Sequence, residues 1–145
     1  MGWLSRMFGG SSVEHESGEE QQFHVNLRGP GTFSLEVVGE SHYQEALEEI
    51  CGGHTEDGEN KIVDAILIHH DNNPHDNMAI AVTIKGHPIG HLSRENARLY
   101  RQRLREAGFA GYPAVCRAKI TGGWDRGDGD KGHFGVRLDL PVGDA

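Results

Sequence analysis

The tightest constraint on this chain lies in residues 71–94, where five local signals follow one another without a gap. Asp71-Asn-Asn-Pro-His-Asp-Asn is a turn by composition, because Pro fixes φ and Asn and Asp bond to their own backbone. Residues 79–84 read as a strand, Lys85-Gly86-His87 as a hairpin reversal and residues 89–92 as the return strand. Ser93 then caps a helix. A chain that must set two antiparallel strands between a polar turn and a helix start has few folds open to it. Polar residues at strand ends and turns are also where a small β-domain displays a binding site.

The flanking segments supply more strands. Phe23, Val25 and Leu27 alternate with polar residues, and Phe33, Leu35 and Val37 repeat the pattern after Gly29-Pro-Gly, which predicts a hairpin. Residues 62–68 are an apolar run interrupted by Asp64, read as a strand near the centre of a barrel. Residues 114–121 and 133–140 alternate again. Two helices complete the list. Ser41 and Gln44 have the spacing of a capping box, and Tyr43, Ala46, Leu47 and Ile50 continue a helical stripe that stops at Gly52-Gly53. After Ser93, the residues Ala97, Tyr100, Leu104 and Ala107 form a second stripe ending at Gly108. The expectation is a mainly β fold, a barrel of six or so strands with two α-helices.

At 145 residues the chain is long enough for one domain with its own core. Residues 1–22 read as an acidic, flexible N-terminal tail, 23–142 as the domain and 143–145 as a C-terminal tail. No apolar run is long enough for a membrane span or a signal peptide, and Arg6 stands where myristoylation needs Ser or Thr. Cys51 and Cys116 are spaced like neither a zinc knuckle nor a redox pair. A soluble cytoplasmic protein is expected, with no membrane partner.

The net charge of −8 disfavours a nucleic-acid partner at first sight. The charge is unevenly spread. Residues 1–60 hold 12 acids and 2 bases, whereas 61–145 hold 10 acids and 12 bases. Arg94, Arg98, Arg101 and Arg105 fall in one row along the second helix. A phosphate-bearing partner would meet this later part.

Three chemistries compete for residues 69–94. His69, His70, Asp71, His75 and Asp76 offer zinc donors for a metal-dependent hydrolase of nucleic acid or acid anhydrides, but without a recognised ligand spacing. Asn73 and Asp76 also suit a purely structural turn. A nucleic-acid site is the third. His42 and Tyr43 at the first helix start, with His75, supply rings for stacking, roughly 1–3 kcal/mol per base. Asn73 and Asp76 supply groups for a base edge or hydroxyl, His91 ends a strand, and Arg94 and Arg98 meet phosphate. In the Gly/Asp loop of residues 122–132, Trp124 either plugs the core edge or presents a stacking face, and the loop lacks the Glu that a calcium site requires.

Three segments, in order, carry a resemblance. Val37-Val-Gly-Glu-Ser-His-Tyr, Asn73-Pro-His-Asp-Asn-Met-Ala-Ile-Ala-Val and Ile89-Gly-His-Leu-Ser-Arg-Glu-Asn-Ala resemble the HIRAN domain family across residues 35–105. The resemblance implies a small OB-like β-barrel with two helices, in a family often fused to SWI/SNF-type helicases or nucleases of DNA repair. It implies a non-catalytic module without cofactor that grips single-stranded DNA at a free 3′ end. Tyr43, Asn73, Asp76, His91 and Arg94 would be the contacts, with a helicase or nuclease as protein partner. The family has an Arg-Tyr pair where Ser41-His42 stands, a Tyr at His75 and a Lys at Arg94. The alternative is a protein-interaction or regulatory module whose DNA site has decayed.

Overall fold

The computed structural model describes residues 11–15 and 21–140, with side-chain surroundings from His24 onward. Eight strands and two helices follow in the order β1 (Ser11–His15), β2 (Gln21–Asn26), β3 (Leu35–Glu36), α1 (Gln44–Cys51), β4 (Glu59–His70), β5 (Ala79–Ile84), β6 (His87–His91), α2 (Arg94–Glu106), β7 (Ala114–Gly122) and β8 (Phe134–Leu138). The fold is mainly β, a curled sheet with two helices in the manner of a small OB-like barrel. Strands β8, β7, β4, β5 and β6 are antiparallel neighbours, and β3 pairs with β8. No described helix is long and apolar enough to cross a membrane.

The two ends of the curled sheet meet at Val38 and His91. Their backbones exchange two hydrogen bonds, of 2.8 and 2.9 Å. Gly90 makes the approach possible. It holds φ of 151°, and a Cβ there would lie 2.5 Å from Val37 Cγ1 and 2.7 Å from the Val38 carbonyl oxygen. The β5–β6 reversal falls on Lys85 and Gly86, both at positive φ, the two-residue turn whose twist suits a hairpin.

Inside lie Leu67, Ile80, Val82, Ile84, Ile89, Ile120 and Leu138. Helix α2 closes over them with Ala97, Tyr100 and Leu104, the stripe that its spacing predicts. The Ser93 hydroxyl accepts a hydrogen bond from the Asn96 N–H at 3.1 Å, so this cap forms as read.

Several expectations are corrected. The first helix has no capping box: a 3₁₀ turn, Glu40–Tyr43, precedes it and Ser41 makes no side-chain cap bond. Gln44 instead uses its carboxamide as a peptide surrogate, donating to the Phe134 carbonyl at 3.0 Å and accepting from the Phe134 N–H at 2.8 Å. An unpaired strand backbone next to a buried ring needs both bonds more than a helix end in water does.

The predicted 23–37 hairpin does not form. Residues Val25 and Leu27 bond to the carbonyls of Pro113 and Val115, and β2 lies parallel to β7, while β3 pairs with β8. Alternation names a buried face but not the neighbouring strand. Between them, Asp139 accepts from the Gly31 N–H at 2.7 Å and turns the chain.

Within the expected tail, Ser11–His15 form β1, which pairs antiparallel with β2. Pairing of main-chain groups needs no apolar side chains. Residues 1–10, 16–20 and 141–145 lie outside the described residues, so the remaining tail expectations fall there.

Strand β4 is a central strand as read, paired with β5 and β7, and its two faces differ. Ala65 and Leu67 point inward, whereas Ile62, Ile66 and Ile68 are exposed. Trp124 neither plugs the core nor presents a free face. Its ring lies against Gly132, its indole N–H donates to Asp130 at 3.1 Å, and Arg126 covers it.

Candidate nucleic-acid interface

The turn after β4 builds itself from local bonds. Asn73 Oδ1 accepts the N–H groups of His75 (2.8 Å) and Asp76 (3.3 Å), and Asp76 Oδ1 accepts from Met78 N–H at 3.0 Å. This is the structural role that the composition predicts, and it orients side chains toward α2 and β6 as well.

Helix α2 brings its arginines to that turn. Arg98 grips Asp76 with two bonds of 3.3 Å, and Arg94 lies 3.7 Å from the same carboxylate while donating to the His75 carbonyl at 3.2 Å. The Asp76 side chain is 10% exposed and its oxygens are engaged, so it presents no free carboxylate to a ligand. The Met78 N–H and then Arg98 hold its carboxyl below the usual range. A ligand hydroxyl can reach it only by exchanging with Arg98.

Arg101 does not join the row as a phosphate contact. Its guanidinium donates to the carbonyls of Met78 (2.7 Å) and Ala79 (3.0 Å) and pairs with Asp71 at 2.8 Å. It staples the turn to the helix. The Arg101 hydrogen bond holds the Asp71 carboxyl down. Arg94, by contrast, is 71% exposed.

On the other flank, His91 closes the barrel and stacks with His70. Their rings are 5.6 Å apart at 14°, with His70 Nδ1 3.4 Å from His91 Nε2. Asn73 Nδ2 lies 3.3 Å from the same His70 nitrogen. Burial, then the neighbouring His70, lowers the His91 proton affinity. His69 faces the other side of β4, toward Tyr100, and burial followed by Arg101 lowers its affinity too. Both His69 Nδ1 and Tyr100 Oη are buried without a hydrogen-bond partner among the described residues.

The structure therefore brings Asn73, His75, Asp76, His91, Arg94 and Arg98 onto one end of the barrel. His42 and Tyr43 lie on the 3₁₀ turn that the Val38–His91 bridge sets beside β6, His42 exposed and Tyr43 half-buried. Neither joins the hydrogen-bonded network among the described residues. His70 is the member absent from the sequence-derived contacts. Its signal was available in the pair His69-His70, since adjacent strand residues face opposite ways, but not which of the two faces His91.

Beside Val38, a hollow of about 390 Å³ opens among Leu35, Glu36, Ser93 and Asn96 at the start of α2. Another, of about 440 Å³, lies by Gly29, Asp64 and Arg117, where Asp64 is roughly 20 Å along β4 from His70. The larger hollow is thus remote from the ring and guanidinium groups. Among the described residues, no three His, Cys, Asp or Glu side chains converge as metal donors. Comparison with protein-family models, curated proteins and solved structures finds no match to this chain.

Proposed function

We propose that this chain is a non-catalytic, cytoplasmic, HIRAN-like module that binds single-stranded DNA at a free end. The observation that carries the reading is convergence. The first segment of the resemblance lies about thirty residues before the other two, yet the Val38–His91 bridge joins it to the third and the Arg94–His75 bond joins the third to the second, so all three share one surface. That surface offers rings at His42, Tyr43 and His75 and an exposed guanidinium at Arg94. Stacking plus a few cations is the usual means of holding single strands. Asp76 and Asn73 contribute by positioning Arg98, Arg94 and His70, and Asp76 meets a sugar hydroxyl only if Arg98 yields. A helicase or nuclease is the proposed protein partner, by the resemblance alone. Cys51 and Cys116, free thiols, suit a reducing compartment.

The test is a fluorescence titration with free-end, 3′-phosphorylated and duplex oligonucleotides. Single strands with a free 3′ end bind best, and Arg94→Ala and Asp76→Ala weaken them. With two or three phosphate contacts, log K falls against log salt with a slope near ~−2. Equal affinity for blocked and free ends removes end recognition and leaves strand binding. No binding at low salt removes the reading.

A protein-interaction module is the second reading. The exposed Ile62, Ile66 and Ile68 on β4, together with the net charge of −8, favour it. It predicts no oligonucleotide binding at any salt concentration.

A further inference from the structure

The hydrogen bonds around His70 define which nitrogens carry protons. Asn73 Oδ1 is committed to two backbone N–H groups, so its Nδ2 is the atom that faces His70 Nδ1 and donates to it. His70 Nδ1 is then an acceptor, and His91 Nε2, 3.4 Å away, is a second donor to it. One lone pair receives two N–H groups. A proton added to His70 Nδ1 would oppose both. A proton added to His91 Nδ1 leaves the network intact and strengthens the His91 donor. The pair accommodates one proton, and a second would set two cations side by side.

The charges around the pair show what that proton is for. Arg94, Arg98 and Asp76 together leave one positive charge, and Arg101 and Asp71 cancel. His69 lies behind β4 and His75 on the turn; on the 3₁₀ turn beside His91 stand His42 and Glu40, whose carboxylate is turned to β8, where it accepts from the Val136 N–H at 3.4 Å. A surface with one net cation is under-charged for two successive phosphates. Protonating the pair supplies the missing charge when an anion is present. Without an anion, burial and then the neighbouring His70 lower the proton affinity of His91.

We propose that the His70–His91 pair is a proton-linked anion subsite, where a phosphate of the bound strand arrives with one proton taken up by the two imidazoles. This rests on the strand-binding reading and adds His70 as a residue that tunes it. Linkage is reciprocal: if anion binding raises proton affinity, protons raise anion affinity.

Calorimetric titration of the full chain with a short oligothymidylate, in two buffers of different ionisation enthalpy, counts the protons. Uptake approaches one per strand near about pH 6.5. Affinity rises by up to about tenfold per pH unit as pH falls from about 8 to 6. His70→Gln and His91→Gln each leave weaker, pH-flat binding with uptake near zero, while His133→Gln, beyond the Trp124 loop, keeps the linkage. Binding that is pH-flat in the native chain, or a linkage that survives both Gln variants, overturns the proposal and leaves strand binding intact. Absence of binding at every pH overturns both. If a Gln variant does not fold, the NMR titration of His91 in the native chain gives the same answer. Its midpoint moves up when oligothymidylate is bound, and an unmoved midpoint overturns the proposal.

Discussion

Two polar turns of this molecule, one rich in Gly and Asp and the other in Asn and Asp, are wired in opposite ways. In the loop of residues 122–132, the side-chain bonds return to the loop. Trp124 donates to Asp130, Arg126 pairs with Asp130 and covers Trp124, Lys131 pairs with Asp125, and Asp125 accepts from Gly127 N–H. Its links outward are backbone bonds, among them those to Thr55 and His133. In the turn of residues 71–78, local bonds shape the backbone, but the remaining groups reach Arg94, Arg98 and Arg101, as many as thirty residues away. A self-satisfied loop is a stable connector. A turn whose groups are shared with a helix and a strand end is an assembled surface, and small changes to its partners propagate into it.

The largest effect is expected at Gly90, because the turn's surface exists only if the sheet ends meet. Gly90→Ala forces a Cβ into Val37 and the Val38 carbonyl at a φ that L-residues avoid. The expected loss is roughly 2–4 kcal/mol. Thermal unfolding reports it as a drop on the order of 10 °C. The Val38 and His91 amides should lose hydrogen-exchange protection first. A variant with native stability would mean that the Val38–His91 bridge does not hold the barrel ends together.

That closure also shows what could be read from the residues. Residues 79–94 were legible, hairpin and Ser93 cap included, because each signal is local: Lys85-Gly86 sets the turn and Ser93 bonds three residues ahead. Helix α2 was legible for the same reason. The arginine row was visible, but the partition within it was not. That Arg101 staples carbonyls while Arg94 stays exposed depends on where Asp71 and Asp76 fall in space. The pairing of β2 with β1 and β7 was hidden because alternation is silent about neighbours. Gln44 misled because its capping spacing is real, while Phe134, ninety residues on, competes for the same carboxamide. His70 was hidden by parity.

The staple gives the next test. Arg101→Gln removes a charged donor from two strand-end carbonyls and from Asp71. About 2 kcal/mol of stability should be lost, as for bonds to a charged group. Urea unfolding measures it. The turn should loosen before the core, so oligonucleotide affinity falls further than stability alone predicts. An unchanged midpoint would show that the turn holds without α2.

Acidity acts on the same region more gently. His69 and His91 have lowered proton affinities in the folded state, mainly by burial. The unfolded chain therefore binds more protons near and below an ordinary histidine midpoint of about 6.5, and stability rises with pH there. The contribution is complete above that midpoint and is lost as pH falls toward the folded values. Asp71 and Asp76 add a further loss only at lower pH, as it falls through their depressed values. Unfolding midpoints at about pH 7.5 and 5.5 should decrease in that order, and His91→Gln should flatten the difference. A midpoint that rises toward acid would contradict the neutral His70–His91 arrangement.

The smallest effect is expected in the other turn, and it is the one that sharpens the contrast. Asp130→Ala removes the Trp124 indole bond and the Arg126 ion pair, both at exposed positions. Exposed pairs of this kind contribute about 0.5 kcal/mol or less. Trp124 stays seated because Gly132 leaves room for its ring and the Thr55 backbone bonds remain. Its fluorescence should shift to the red while the unfolding midpoint and oligonucleotide affinity stay within error of the native chain. If Asp130→Ala lowered affinity as much as Arg101→Gln, the loop would belong to the binding surface after all. The difference between the two turns would then lie in distance rather than in wiring.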